Sequence, residues 1–216
     1  MKRITSIFLL LAVIFCVCSL SSCSNPIFVE KDEPTLCLYS GGGEIKVKVT
    51  PNNKKDISWS YPELKDKLSW EMYVNSEGKI TDLKRYVDYD SLDWTAAKGN
   101  YKINDSVGFC IKGTDTEAFL KEKLEYMGLS EGEINDFVFY WSSRMSHNPY
   151  NYIYFANSEY SELKPTIEPE PDTYITVFMV WKALEKPINV SEQKLEKSPA
   201  RNGFTAVLYG GCEIYN

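Results

Sequence analysis

The residues of this chain that could do chemistry are mainly carboxylates. Asp88, Asp90 and Asp93 lie within six residues of one another, and carboxylate oxygens are ligands that calcium prefers. Their spacing lacks the glycine and the distal glutamate of a calcium-binding loop. On a strand, Asp88 and Asp90 would face solvent together. The sequence therefore predicts a solvated face here and no metal site.

A second acidic group lies between residues 165 and 172. Glu168, Glu170 and Asp172 alternate there with prolines, which favour a rigid connector between strands. A glycosidase needs two carboxylates held a few ångströms apart. With 30 acidic residues, the sequence alone does not select such a pair. Hydrolysis through paired carboxylates therefore stays open as an alternative.

His147 is the single histidine of the chain. It follows a predicted helix, and the negative end of a helix dipole favours a cation at that position. We find no serine or cysteine nucleophile motif such as Gly-x-Ser-x-Gly in the sequence to accompany it. The sequence therefore favours a protein that is not an enzyme, with no catalytic residue and no cofactor.

Aromatic residues are concentrated around a predicted helix end and the strand that follows it. Trp141 falls on the apolar stripe of the helix, which favours a place in the core. Tyr150, Tyr152 and Tyr154 alternate on one face of the strand. An exposed row of this kind could bind a glycan or a peptide, but packing in the core is the favoured interpretation, because aromatic residues normally dominate cores. These three tyrosines are the candidate ligand-binding residues.

The first residues of the chain have the organisation of an export signal. Lys2 and Arg3 precede an uncharged apolar run from residue 7 to residue 17, which is too short for a stable transmembrane helix. The following Leu20-Ser21-Ser22-Cys23 resembles the bacterial lipobox. The resemblance implies that residues 1–22 are a cleaved signal peptide and that Cys23 carries acyl chains such as palmitate. It also implies a lipid-anchored location in the bacterial cell envelope, outside the cytoplasm.

Three cysteines remain after the predicted signal, namely Cys37, Cys110 and Cys212. An exported protein meets an oxidising compartment, where one disulfide could form. Cys110 lies in an apolar run, where a free thiol packs as a small hydrophobic side chain. We therefore predict a possible disulfide between Cys37 and Cys212, near the two ends of the fold. Their wide spacing does not indicate a zinc site.

Hydrophobic patterning predicts several strands. Residues 35–39 and 44–49 flank Gly41-Gly42-Gly43, which predicts a hairpin. Residues 69–74 and 79–82 flank a turn with a glycine, which predicts a second hairpin. The run from Val177 to Val180 is apolar without interruption, which favours a strand in the middle of a sheet.

Helical spacing of apolar residues predicts two consecutive helices. Thr114 with Glu117 and Ser130 with Glu133 each fit a capping box at a helix start. A short link around Leu129 places the two helices next to each other. The predicted fold class is α+β, a mostly antiparallel sheet with a two-helix unit packed against it.

The predicted domain organisation has three parts. Residues 1–22 form the signal peptide, and residues 23–34 form the lipidated cysteine and a polar tether. Residues 35–216 form one α+β domain, with subdomains of about 35–112 and 113–216 as the alternative. The chain has 44% hydrophobic residues and a net charge of -6. This composition excludes collagen-like, coiled-coil and disordered chains, and the acidic balance argues against binding of nucleic acid.

Residues 57–211 resemble a family of uncharacterised exported bacterial and archaeal proteins. The resemblance is carried by short pieces in a constant order, among them Tyr61-Pro62, Gly132-Glu133-Ile134, Tyr140-Trp141, Asn148-Pro149-Tyr150 and Gly203-Phe204-Thr205. It implies a common fold and assigns no catalytic residue. The family's last strand tends to end Glu-Trp-Gly-Gly, whereas this chain has Leu208-Tyr209-Gly210-Gly211. The segment Leu92-Asp93-Trp94 also departs from the family pattern.

Together these observations predict a membrane-anchored lipoprotein of the cell envelope with a non-enzymatic binding domain. The expected partners are the membrane, through Cys23, and an envelope protein or a glycan. The alternative is an envelope hydrolase that acts on a glycan or a peptide through paired carboxylates.

Overall fold

The computed structural model of the chain describes residues 28–29, 34–52, 57–64, 69–83, 85–95, 106–160 and 164–215. The predicted signal peptide and Cys23 lie outside the described residues. These residues contain two α-helices, α1 (Thr116–Tyr126) and α2 (Glu131–Met145). The strands are β1 (Phe28–Val29), β2 (Thr35–Tyr39), β3 (Ile45–Thr50), β4 (Ser60–Tyr61), β5 (Trp70–Val74), β6 (Ile80–Asp82), β7 (Asp88–Tyr89), β8 (Leu92–Trp94), β9 (Val107–Lys112), β10 (Tyr150–Phe155), β11 (Thr166–Glu168), β12 (Thr173–Leu184), β13 (Ser191–Glu192) and β14 (Thr205–Tyr215).

The described strands form two sheets. The large sheet has the order β13-β9-β10-β12-β14-β2-β8-β4, with β1 paired to the end of β14. Its pairs are antiparallel except β12 with β14 and β13 with β9. The small sheet has the order β11-β3-β5-β6-β7 and is antiparallel throughout. The predicted α+β fold with a mostly antiparallel sheet is confirmed.

The molecule has three layers, because both faces of the large sheet are covered. The two helices pack on one face, where Leu120, Leu124 and Phe137 meet Val177 and other strand residues in what we call the helix-side core. The small sheet packs on the other face and forms the sheet-side core. That core joins residues of the small sheet to residues of the large one, including Val47, Met72, Ile80, Leu38, Phe178 and Leu208.

The position of the long strand β12 in the sheet explains why its sequence contains an uninterrupted apolar run. It lies between β10 and β14, and Val177 to Val180 are fully buried because they alternate between the two cores. The predicted central position is confirmed. Each sheet also contains strands from before and after residue 112. The large sheet includes β2 and β8 from before this residue and β12 and β14 from after it, and in the small sheet β11 from after it pairs with β3 from before it.

The first predicted hairpin is wrong. Strand β2 belongs to the large sheet and β3 to the small one, so the glycines between them carry the chain across the layers. Gly41 has a φ of 71°, and a Cβ at this position would collide with the backbone of Gly203. The second predicted hairpin is confirmed, because β5 and β6 pair antiparallel.

The two helix starts differ from each other. Ser130 and Glu133 form the predicted capping box of α2, with both reciprocal hydrogen bonds present. The box predicted at Thr114 is wrong, because residues Gly113–Asp115 form a 3₁₀ turn that runs directly into α1. Asp115 is helical there and its side chain accepts no capping hydrogen bond.

The connector predicted between residues 165 and 172 contains a short strand. Ile167 is buried in the sheet-side core, and this burial fixes β11 beside β3. Glu168 faces solvent and accepts a hydrogen bond from Lys48 at 3.1 Å. The prolines therefore flank a strand at the edge of the small sheet, a position that tolerates proline.

Candidate ligand-binding pocket

A cavity of about 650 Å³ lies where β2 ends its pairing with β14. Thr35 is the first residue of β2 and pairs with Tyr209 of β14. Beyond this pair, β14 continues to Gly210 without β2 beside it. Helix α2 covers the opening from the other side. We call this cavity the acidic pocket, and it is lined by Pro34, Thr35, Trp59, Ser91, Asp93, Trp94, Thr95, Asp136, Phe137, Tyr140, Trp141, Tyr209 and Gly210.

Asp93 supplies the half-buried carboxylate of the pocket. It lies in the middle of β8, opposite Thr35 in the pairing with β2. Its Oδ1 accepts a hydrogen bond from the Thr35 hydroxyl and its Oδ2 accepts one from the Ser91 hydroxyl, both at 2.7 Å. These two bonds fix the orientation of the carboxylate within the pocket.

Burial raises the pKa of Asp93 above its usual value. The two hydroxyl donors act in the opposite direction, because they stabilise the ionised form. The negative charge of Asp136 raises the pKa further. Asp136 is exposed on α2, so the sheet and the helix each contribute one carboxylate to the pocket.

Trp59 is an exposed indole on a firmly held backbone. Its side chain is 54% exposed. The backbone N–H of Trp59 donates to the Thr95 hydroxyl at 3.0 Å, and the backbone carbonyl of Trp59 accepts a hydrogen bond from the Thr95 backbone N–H at 3.0 Å. The N–H of Ser58 also donates to the Thr95 hydroxyl, at 3.2 Å. The backbone that carries the indole therefore has little freedom to lose when a ligand binds.

The other aromatic residues of the pocket are packed against their neighbours. Trp94 is 2% exposed and its ring centroid lies 5.8 Å from that of Trp70. Trp141 lies edge-to-face against Tyr140, with centroids 4.9 Å apart. A Cβ on Gly211 would lie 2.9 Å from Trp141 Cζ2, so the indole rests directly on the backbone of β14. The glycine of the last strand is therefore what lets α2 approach the sheet.

Glu133 fixes the start of α2 and thereby the helix wall of the pocket. It is 3% exposed, and its Oε2 accepts the Ser130 N–H at 2.7 Å. Its Oε1 accepts the Tyr39 hydroxyl at 2.8 Å and Nη1 of Arg201 at 3.1 Å. Arg201 Nη2 also donates to Oε2. This charged network ties the helix to β2 and to the segment before β14.

The pocket shows no activated nucleophile among its described residues. The Tyr209 hydroxyl faces the Cys37 thiol at 3.9 Å. Burial, with the charge of Glu133 next, raises the pKa of Cys37 to about 12, so the thiol is protonated and unreactive at neutral pH. Burial and the neighbouring Cys37 also raise the pKa of Tyr209.

Residues 128–132 read Gly-Leu-Ser-Glu-Gly, so the sequence-based statement that no Gly-x-Ser-x-Gly motif is present is wrong. A nucleophile elbow requires such a serine between a strand and a helix. Ser130 instead follows α1 and serves as the N-cap of α2, where its Oγ accepts the Glu133 N–H at 3.4 Å. The pattern is therefore a helix–helix turn.

The three candidate tyrosines do not form an open platform. Tyr152 is fully buried and its hydroxyl donates to the Val107 carbonyl at 2.7 Å. Tyr150 and Tyr154 are half-buried, and the Tyr154 hydroxyl donates to Glu159 at 3.1 Å. None of the three lines the acidic pocket. The residues between them, such as Ile153, belong to the helix-side core, so the tyrosines point away from the helices.

The predicted disulfide between Cys37 and Cys212 is wrong, because the two residues are not bonded to each other. Cys37 lies in the helix-side core and Cys212 in the sheet-side core. Val207 lies opposite Cys37, so Cys212 is five residues further along β14, about 16 Å at the rise of a strand. A disulfide requires Cα atoms within about 7 Å of each other. Cys110 is half-buried, and its Sγ accepts the Ile188 N–H at 3.4 Å.

The three clustered aspartates have separate surroundings. Asp88 and Asp90 are exposed, as predicted, and pair with Thr81 and Lys79. Asp93 points instead into the acidic pocket, which sequence reasoning missed. The alternation of buried Leu92 and Trp94 could have placed Asp93 on the opposite face of β8. Nothing local in the sequence shows that α2 covers that face.

Within the described part of the chain, no group of three or more His, Cys, Asp or Glu side chains is arranged to hold a metal ion. His147 is exposed beyond the end of α2, with its Nδ1 3.3 Å from the Ser146 hydroxyl. Across the same residues, no helix is both long enough and apolar enough to span a membrane.

Comparison of the chain with protein-family models, with curated proteins and with solved structures finds no match. The family resemblance and the lipobox therefore stay predictions from the sequence.

Proposed function

We propose that the chain is a lipid-anchored protein of the bacterial cell envelope that binds a ligand in the acidic pocket without chemical conversion. The signal-like residues 1–22 and the lipobox at Cys23 support the location. The pocket supports the binding role. Its volume of about 650 Å³ is within the range of small-molecule sites.

The observation that carries the binding role is Trp59. A large indole that is 54% exposed on a backbone held by Thr95 presents an apolar surface that the described residues do not cover. Asp93 is held in the same way by Thr35 and Ser91. A fixed apolar surface beside fixed polar groups is the usual composition of a ligand site.

The arrangement favours binding over catalysis. A hydrolase that uses paired carboxylates needs one carboxyl group that keeps its proton and a second that is ionised. The surroundings of the two groups must therefore differ. Asp93 has the raised pKa of the first kind. Asp136 is exposed on a helix and has no described hydrogen bond that would orient it for attack or for water activation. The hydrolase remains the second candidate, because the two carboxylates do line one pocket from opposite walls.

The test is capture of a ligand by the mature protein in detergent from envelope extracts and from a panel of glycans. Trp59→Ala should abolish saturable capture, because it removes the exposed wall of the pocket without touching either core. Phe139→Ala is the matched control, since Phe139 is 84% exposed on α2 and does not line the pocket. This control should bind like the wild type.

Three outcomes are distinguishable. Saturable capture that only Trp59→Ala removes supports the binding role. Capture that Trp59→Ala leaves intact contradicts the assignment of the pocket. Conversion of a glycan or a peptide during the incubation, if lost in both Asp93→Asn and Asp136→Asn, replaces the binding proposal with the hydrolase.

A further inference from the structure

We infer that the group which enters the acidic pocket is an organic cation, a primary or quaternary ammonium on a ligand of small-molecule size. This inference rests on the proposed function and names the chemistry of its ligand. It follows from three properties of the pocket lining, which are its charge, its aromatic walls and its fixed carboxylate.

The first property is uncompensated negative charge. The described residues that line the pocket include Asp93 and Asp136 and no lysine, arginine or histidine. Within the described chain, neither carboxylate takes part in an ion pair. Two anions beside one cavity repel each other, as the effect of Asp136 on Asp93 shows. A bound cation removes this repulsion, whereas a neutral ligand leaves it in place.

The second property is the aromatic wall. The faces of tryptophan and tyrosine rings attract cations, and ammonium ligands are commonly held between such rings. Tyr140 and Trp141 already show this behaviour toward Arg144. The Arg144 guanidinium carbon lies 3.8 Å from the Tyr140 ring centroid and 5.8 Å from that of Trp141. Arg144 does not line the pocket, and Trp59 is the exposed tryptophan of the lining that remains for a ligand.

The third property is the prepared orientation of Asp93. Thr35 and Ser91 each donate one hydrogen bond at 2.7 Å, so the carboxylate is held before any ligand arrives. A fixed anion beside aromatic faces binds a cation with little cost of reorganisation. The pocket volume exceeds what one ammonium group fills, so the ligand carries further atoms along the cavity.

The experiment compares matched probes by calorimetry on the mature protein in detergent. Choline is paired with its uncharged analogue in which carbon replaces nitrogen, and glucosamine is paired with glucose. The charged member of a pair should bind at least about tenfold more tightly, a difference of about 1.4 kcal/mol. Binding of choline alone identifies a quaternary ammonium, and binding of glucosamine alone identifies an amino sugar.

Two variants locate the effect in the pocket. Asp93→Asn and Asp136→Asn should each weaken binding of the charged probe about tenfold and weaken binding of the uncharged probe less. Asp136 is exposed, so Asp136→Asn still tests the effect of charge on binding if Asp93→Asn alters the fold. Asp88→Asn is the matched control, because Asp88 is exposed on β7 outside the pocket, and it should bind like the wild type.

Equal binding of the charged and uncharged probes, or no binding of either cation at millimolar concentration, overturns the inference. The proposed function fails separately. Capture of a neutral ligand that requires Trp59 would refute the inference that the ligand is a cation and would keep the binding role. Capture that does not require Trp59 would refute the assignment of binding to the acidic pocket.

Discussion

At the scale of single residues, Asp93 shows how a carboxylate in a pocket differs from carboxylates on the solvated surface around it. Asp88 and Asp90 reach solvent and pair with Thr81 and Lys79. Asp93 is only five residues from Asp88, and yet it is turned under a helix and loses much of its hydration. Ionisation of Asp93 therefore costs folding free energy that hydrogen bonds from Thr35 and Ser91 do not fully recover.

This cost predicts a pH dependence. The folded pKa of Asp93 lies above its ordinary value of 3.8. Below pH 3.8 both folded and unfolded states hold the proton, so the penalty is absent. As pH rises from there to the folded pKa, the unfolded state loses its proton first and the wild type loses stability. Each unit of difference between the two pKa values costs about 1.4 kcal/mol.

Asp93→Asn cannot titrate, so its stability relative to the wild type should rise across that pH interval and level off above it. The measurement is urea unfolding of the two proteins at a series of pH values. Asp88→Asn, on the exposed strand β7, should follow the wild type. If the wild type instead became more stable relative to the Asp93→Asn variant as the pH rises, the assigned environment of Asp93 would be wrong.

The residue scale also shows why the site was only partly predictable. Periodicity assigns a face to a side chain, and it correctly left Asp88 and Asp90 in solvent. The layer that covers a face is decided by distant segments. Tyr152 is buried and Asp93 lines a pocket because of contacts with residues far away in sequence, such as Val107 and Thr35. Local pattern does not contain that information.

At the scale of elements, α2 decides the shape of the pocket. Glu133 fixes its first turn through Tyr39 and Arg201. Trp141 fixes its last turns by resting on Gly211 of β14. Asp136 and Tyr140 lie between these two attachments. The helix wall of the pocket is therefore held at both ends.

Gly211→Ala tests the second attachment. A Cβ there would lie 2.9 Å from Trp141 Cζ2 and 2.8 Å from the Met179 carbonyl oxygen, and one of these neighbours is backbone. We expect a loss of about 1–3 kcal/mol in the free energy of unfolding. Ligand binding should weaken too, because α2 must move away from the sheet.

Gly132→Ala is the control for this variant. Gly132 lies in the first turn of α2, and a Cβ there meets no atom within 4 Å. Alanine should stabilise the helix by about 0.5–1 kcal/mol. Both variants are compared by urea unfolding. Equal effects of the two substitutions would contradict the close approach of Trp141 to β14.

Elements with local causes were the predictable ones. The capping box at Ser130, the hairpin of β5 and β6 and the central strand β12 each follow from a few adjacent residues. The failures share a different cause. Gly41 is part of a crossing between sheets because the chain passes against Gly203, and the bridge from Cys37 to Cys212 fails because a sheet separates the two thiols. Both depend on the layer order.

At the scale of the whole molecule, the anchor is the property to test first. Cys23→Ala should release the protein from the membrane fraction, because the predicted acyl chains are the proposed attachment. The measurement is separation of membrane and soluble fractions. Cys110→Ala is the control and should stay membrane-bound, since Cys110 lies in the folded domain. A Cys23→Ala protein bound as tightly as the wild type would refute the lipoprotein.

Strand β1 limits how far from a membrane the proposed anchor on Cys23 would hold the folded residues. Phe28 pairs with Tyr215, and Val29 pairs with Ile214, so the chain joins the large sheet five residues after Cys23. Five residues of fully extended chain reach about 18 Å. Gly210, on the pocket floor, is four residues from Ile214, about 13 Å along β14. The proposed anchor on Cys23 would therefore keep the acidic pocket in the layer next to the lipid headgroups, and the proposed ligand would be one that is found in that layer.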